Sequence, residues 1–149
     1  TVDSLGSWTD FVGDEYKSFS GTAVYTTTIN KVPVADVIKL DLGSVAENAS
    51  VYLNGDYIGT VIDSPYQLYI PAEKFKGQDE LVVRVANSMA NRIAYMDKKG
   101  VDWKIFYNVN MSARKKENVK NGIFDASDWE PKSSGLLGPV TLTPAMVKQ

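Results

Sequence analysis

The chain has 149 residues, 18 acidic and 16 basic, a formal charge of −2, and neither cysteine nor histidine. Those zeros exclude a disulfide staple, a Cys/His zinc site and any Ser-His-Asp or Cys-His catalytic arrangement within the chain. The length suits one domain, the 44% hydrophobic and 23% charged composition is globular, and the balanced charge argues against nucleic acid as a partner.

Taken in chain order, the first residues show no signal peptide, and a start at Thr1 suggests a processed protein or a piece of a longer one. Residues 1–18 carry Trp8, Phe11 and Tyr16 without alternation, which predicts an opening segment packing on the fold that follows. From there the dominant period is two. Ala23, Tyr25, Thr27 and Ile29 alternate with Val24, Thr26 and Thr28 as a strand. Ile38, Leu40 and Leu42 form a half-buried strand, as do Ala49, Val51 and Leu53. Asn54-Gly55 is a strong hairpin signal, because a type I′ turn needs positive φ at both central residues. The return strand runs from Tyr57 to Val61, and Tyr66, Leu68 and Ile70 make another.

Pro71 to Phe75 reads as a single helical turn, and Gly77 to Glu80 as a polar turn. Leu81, Val83 and Val85 alternate next, then Trp103, Ile105, Tyr107 and Val109. Residues 112–135 are polar and rich in turn formers, the least strand-like stretch; within them Arg114, Lys115 and Lys116 read as a solvated loop. A last strand covers Val140 and Leu142. About eight short strands separated by turns predict an all-β sandwich or barrel. No run of 18 apolar residues exists to span a membrane. Sequons occur at Asn48 and Asn110, which matter only in a eukaryotic secretory setting.

Three stretches carry a resemblance: Phe19-Ser20-Gly21-Thr22-Ala23-Val24-Tyr25 through Ile29, Leu40 through Gly55 with Gly59 after it, and Ser134-Gly135-Leu136-Leu137-Gly138-Pro139-Val140-Thr141-Leu142. With Ser64-Pro65-Tyr66, Leu81 to Asn87 and Asn91-Arg92 between them, the chain resembles the galactose-binding-domain-like jelly roll of glycoside hydrolases. It is similar to the sugar-binding domain of family 2 glycosidases and to the C-terminal region of enzymes like the family 106 α-L-rhamnosidases. The third stretch looks closer to the latter. The resemblance implies a jelly-roll β-sandwich over 19–149, a C-terminal module of a larger bacterial enzyme, and a periplasmic or extracellular location. It also implies that the catalytic carboxylates lie on another domain.

Glycosidases need two carboxyl groups flanking the scissile bond. Asp97 with Asp102, and Asp125, Asp128 and Glu130, are the clusters here; solvated loop acids are the plainer explanation. The expectation is therefore no catalytic residue in this chain. Sugar binding is the sharper expectation, since rings offer a stacking face and planar polar groups meet hydroxyls. The candidate set is Trp129, Tyr69, Asn91, Arg92, Asp97 and Trp103. Each has a structural alternative. Trp103 and Tyr66 share a phase with aliphatic neighbours and suit a core. Trp129 suits a loop anchor or a contact to a neighbouring domain. Asn91-Arg92 suits a loop hydrogen bond or salt bridge. No cofactor is expected; such sandwiches can hold a structural calcium on oxygen ligands, although no EF-hand spacing occurs. The partners expected are carbohydrate and other domains of the parent enzyme. The rival readings are a purely structural module and a stand-alone glycosidase.

Overall fold

In the computed structural model, residues 2–105 and 115–145 are described. The chain forms two compact units: Thr1–Trp8, Gly21–Asn87 and Ser133–Gln149 make the first, Thr9–Ser20 and Ser88–Lys132 the second.

The first unit is an all-β sandwich, as the alternation predicts. Strands β1 (Thr22–Ile29), β2 (Val37–Asp41), β3 (Ser44–Ala46), β4 (Asn48–Leu53), β5 (Asp56–Val61), β6 (Gln67–Pro71) and β7 (Asp79–Ala86) lie in it, with β10 (Gly135–Gly138) and β11 (Thr141–Pro144) at the end. One sheet has the order β1-β7-β4-β5, a second β11-β2-β6, and β10 pairs with β3. Every one of these ladders is antiparallel.

Alternation places Val83, Val85, Ala49, Val51 and Leu53 on the inner face of the four-stranded sheet. Leu40 and Ile70 project from the three-stranded sheet into the same core. Each of these Val, Leu and Ile side chains contributes about 2 kcal/mol on burial. Gly59 sits at a close approach of the two sheets, since a Cβ there would stand 2.9 Å from Leu68 Cδ2. The helical turn expected at Pro71 to Phe75 is a 3-10 turn over Ala72–Lys74. Strand β10 pairs with β3 in a two-stranded sheet and is irregular between Leu136 and Gly138, where Pro139 follows.

The points where the chain leaves and re-enters this unit are tied together. Trp8 N–H donates to Ser134 O at 3.0 Å, and Asn87 N–H to Gly21 O at 3.2 Å. The Asn87 carboxamide accepts from Gly21 N–H at 3.0 Å and donates to Ser134 Oγ at 3.2 Å. Ser7 Oγ adds a contact by accepting from Ser134 N–H at 2.9 Å.

The second unit departs from the sequence expectation in three places. Helix α2 (Ala90–Lys98) stands where no helix was expected, preceded in the chain by the single-turn α1 (Asp14–Lys17). A two-residue hairpin joins β8 (Val119–Lys120) to β9 (Ile123–Phe124), inside the stretch read as unlike strand. Asn121 at φ 53 and Gly122 at φ 79 form its turn, the same Asn-Gly chemistry as Asn54-Gly55. The strand expected from Trp103 to Val109 does not begin: residues 101–105 have no strand pairing, Trp103 is half-buried and Ile105 is 82% exposed. The rest of that expectation, 106–109, lies outside the described residues, as do Asn110 and Arg114. Among the described residues, no helix is long and apolar enough to cross a membrane.

Candidate functional site

The best-formed chemistry lies in the second unit. Ala90, Ile93, Ala94 and Asp97 recur at helical spacing and share one face of α2. The helix stops at Gly100 (φ 69), with Gly100 N–H bonding Asp97 O at 3.1 Å and Val101 N–H bonding Met96 O at 2.9 Å, the paired bonds of a Schellman end. Ile93 and Ala94 pack with Trp103 and Trp129 around buried Phe124 and Ala126.

Asp97 is the polar centre of that packing. Its side chain is 1% exposed. Oδ1 accepts from Trp103 Nε1 at 2.7 Å and from Lys104 Nζ at 2.6 Å, and Oδ2 from Ala126 N–H at 2.8 Å. A buried carboxylate is tolerated only when paired and hydrogen-bonded, and here it is both. Asn91 does comparable work at the first turn of α2: its carboxamide donates to Lys132 O and accepts from Lys132 N–H, both at 2.8 Å.

Trp129 is half-buried. Its Nε1 donates to Asn118 Oδ1 at 2.9 Å, and its ring meets Phe124 edge-on at 5.8 Å. Beside it opens a cleft of about 390 Å³ walled by α1, α2 and residues 127–131, with Asn91, Tyr95, Lys98, Trp129 and Glu130 among its lining. Part of the charge at its margins is paired. Lys99 Nζ lies 3.4 Å from Asp14, and Lys120 Nζ lies 3.0 Å from Asp128 and 3.4 Å from Asp125. The Ser127 hydroxyl holds the Asp125 carboxyl below its usual range; burial opposes this, while Ser127 N–H and Lys120 add to it. Lys120 is pushed up chiefly by its bond to Asp128.

The structure thus brings Asn91 and Trp129 to one cleft and places Asp97 and Trp103 in mutual contact within the unit. Arg92 is exposed, its guanidinium 5.7 Å from the Tyr95 ring centre. Tyr69 belongs to the first unit, 62% exposed on β6 and opposite Lys39. Tyr95 and Lys98 were missed; the helical spacing of Ala90, Ile93 and Ala94, ended by Lys98, Lys99 and Gly100, was the available signal. Asp125 and Asp128 share one lysine rather than standing free. Among the described residues, no group of three or more acidic side chains gathers as a metal site.

No family model matches the chain. A curated protein of Formosa agariphila named "Putative beta-glucuronidase" is 34% identical over 155 residues, spanning 94% of this chain and 13% of that protein. The solved structure of a rhamnosidase from Novosphingobium sp. PP1Y is 29% identical with a TM-score of 0.73, covering 93% of this chain and 12% of that one. A beta-glucuronidase from Ruminococcus gnavus is 24% identical with a TM-score of 0.47 over 55% of this chain and 15% of its own. The chain spans only about an eighth of the length of the first two relatives. It is a β-sandwich segment similar to part of glycoside hydrolases, an accessory portion rather than a whole enzyme, as its three sequence stretches indicated.

Proposed function

We propose that this chain is a non-catalytic, carbohydrate-binding module of a larger bacterial glycoside hydrolase, working in the periplasm or outside the cell. One observation carries the reading: likeness along nearly the whole chain to a small fraction of a rhamnosidase and of a protein named for glucuronidase activity. The sandwich unit is taken as a jelly roll, with carbohydrate and other domains of the parent as its partners.

In this reading the cleft of the second unit holds the sugar. Trp129 and Tyr95 supply ring surface, Lys98 and Glu130 supply hydroxyl partners, and Arg92 sits at the lip beside Tyr95. Asn91, Asp97 and Trp103 act as positioning residues, since their polar atoms are engaged with Lys132, Lys104 and Ala126. Tyr69 is a separate contact point on the sandwich. That engagement of Asp97 and Trp103 also favours the second reading, a purely structural module.

The test is a titration of the 149-residue chain with a panel of plant and bacterial glycans, followed by tryptophan emission. Binding should shift the emission, and Tyr95→Ala and Trp129→Phe should weaken it. No shift with any glycan would leave the structural module standing. Hydrolysis of nitrophenyl glycosides by this chain, abolished in Asp128→Asn or Glu130→Gln, would overturn the non-catalytic role.

A further inference from the structure

The outer face of the four-stranded sheet is open and chemically unusual. Cross-strand rows place Val24, Arg84, Ser50 and Thr60 side by side, and Thr26, Val82, Tyr52 and Tyr57 in the next row. A bulge between Val51 and Tyr52 in the pairing with β5 leaves Ile58 as the extra residue. It lets Tyr57 and Thr60, three apart in sequence, share the outer side. Tyr57 is 59% and Val24 60% exposed.

The polar groups on this face hold one another. Tyr57 Oη and Thr60 Oγ1 are 2.9 Å apart, and Thr60 Oγ1 and Ser50 Oγ 2.7 Å. The Tyr52 and Tyr57 rings lie 5.5 Å apart, tilted by 59°. The Arg84 guanidinium stacks 5.0 Å from the Tyr52 ring centre. Arg84 makes no salt bridge with a carboxylate among the described residues. The acid of its own strand on this side is Glu80, two rows away opposite Thr28.

We propose that this face is a second glycan surface, specific for an anionic sugar: Tyr57 stacks on the sugar ring and Arg84 receives its carboxylate or sulfate. Three physical points support it. Stacked guanidinium keeps its N–H edge for a bidentate anion. The hydroxyl chain and the stack fix side chains that would otherwise lose rotamer freedom on binding. Strand-borne side chains hold their spacing better than loop-borne ones. The choice of a sugar rests on the carbohydrate reading above, but the location is independent of the cleft.

The experiment maps amide and side-chain NMR shifts of the 149-residue chain with three probes of equal length: a uronic-acid oligosaccharide, its carboxyl-reduced counterpart, and a sulfated neutral oligosaccharide. The expected result is shifts at Ser50, Tyr52, Tyr57, Thr60 and Arg84 with an anionic probe, and much weaker ones with the reduced probe. Comparing the two anionic probes identifies carboxylate or sulfate as the group read. Arg84→Gln should weaken the anionic probe by about tenfold, while Arg84→Lys, which keeps the charge and loses the fork, falls between. Tyr57→Ala should weaken every probe that binds. Each variant is checked by its melting temperature, and Arg84→Lys reports on binding even if Arg84→Gln is destabilised. No shift with either anionic probe at millimolar concentration overturns the proposal. So does equal binding of the reduced probe, or binding indifferent to Arg84→Lys and Tyr57→Ala. Shifts confined to Tyr95 and Trp129 would overturn this surface and uphold the cleft; shifts here alone would do the reverse.

Discussion

The Asn54 carboxamide and the Asp79 carboxylate meet at 2.7 Å, joining the β4–β5 hairpin turn to the first residue of β7. Asn54 also accepts from Glu80 N–H at 3.0 Å and gives its own N–H to Glu80 O at 2.8 Å. Asp79 is 1% exposed and accepts from Lys76 N–H at 2.8 Å and Gly77 N–H at 3.0 Å. Burial alone would push its carboxyl up. The Asn54 bond, the two backbone N–H donors and the Lys76 charge together outweigh that and hold it below the ordinary range.

A lowered folded-state value sets the sign of the pH dependence. Above the unfolded value, about pH 4, the ionised Asp79 contributes its full stabilisation. As pH falls through the lower folded value, that contribution is lost. Urea denaturation across this window should show wild type losing stability on acidification. Asp79→Asn should be less stable at neutral pH by about 2 kcal/mol, and the gap should narrow in acid. A gap independent of pH would refute the assignment.

Asn54 serves both the turn and the carboxylate. Its φ of 52 is one that few side chains accept. Asn54→Gly should therefore lose only the hydrogen bonds, about 1 kcal/mol, and Asn54→Ala about 1 kcal/mol more from the left-handed backbone. Chemical denaturation of both variants separates the two contributions.

At Gly59, alanine would drive a Cβ toward Leu68 across the sandwich. Gly59→Ala alone should cost about 1–3 kcal/mol, as overpacking does. Leu68→Ala opens space at the same contact, so the double variant should be more stable than the sum of the two single losses predicts. A double-mutant cycle with purely additive losses would contradict this contact.

In the second unit, Asp97→Asn keeps the shape of the side chain but replaces an acceptor oxygen by a donor. Either Ala126, or Trp103 and Lys104 together, then loses its acceptor, at about 2 kcal/mol or more. Amide exchange should quicken across 90–105 and 115–131, with a red shift of tryptophan emission. Lys99→Ala, by contrast, removes an ion pair whose side chains are 50% and 65% exposed, and should cost no more than about 0.5 kcal/mol, less at high salt.

The sandwich was legible because its inner faces are built from uninterrupted alternation: Ala49-Val51-Leu53 and Leu81-Val83-Val85 each place every second residue in the core. Helix α2 was not, because its inward face reads Ala90, Ile93, Ala94 and then Asp97. A carboxylate stands where the apolar stripe should continue, and only its partners Trp103, Lys104 and Ala126, all beyond the end of the helix, make that position inward. The β8–β9 strands are too short to display a period, so their Asn121-Gly122 turn was the signal, unread because no alternation flanked it. Trp103 and Ile105 alternate in sequence yet differ in exposure, since an indole bonded to Asp97 is placed by that bond and not by a pleat. Of the candidate site residues, Trp129 combines both readings, half-buried on Phe124 yet lining the cleft.

The knot of Trp8, Gly21, Asn87 and Ser134 has an evolutionary consequence. It brings together, within the sandwich, the ends of both excursions, 9–20 and 88–132. A chain whose ends are already pinned pays only a slowly growing entropy for added length between them. Insertions and deletions inside either excursion can therefore accumulate without loosening the β-ladders, so the sandwich can keep its architecture while the two excursions vary in length.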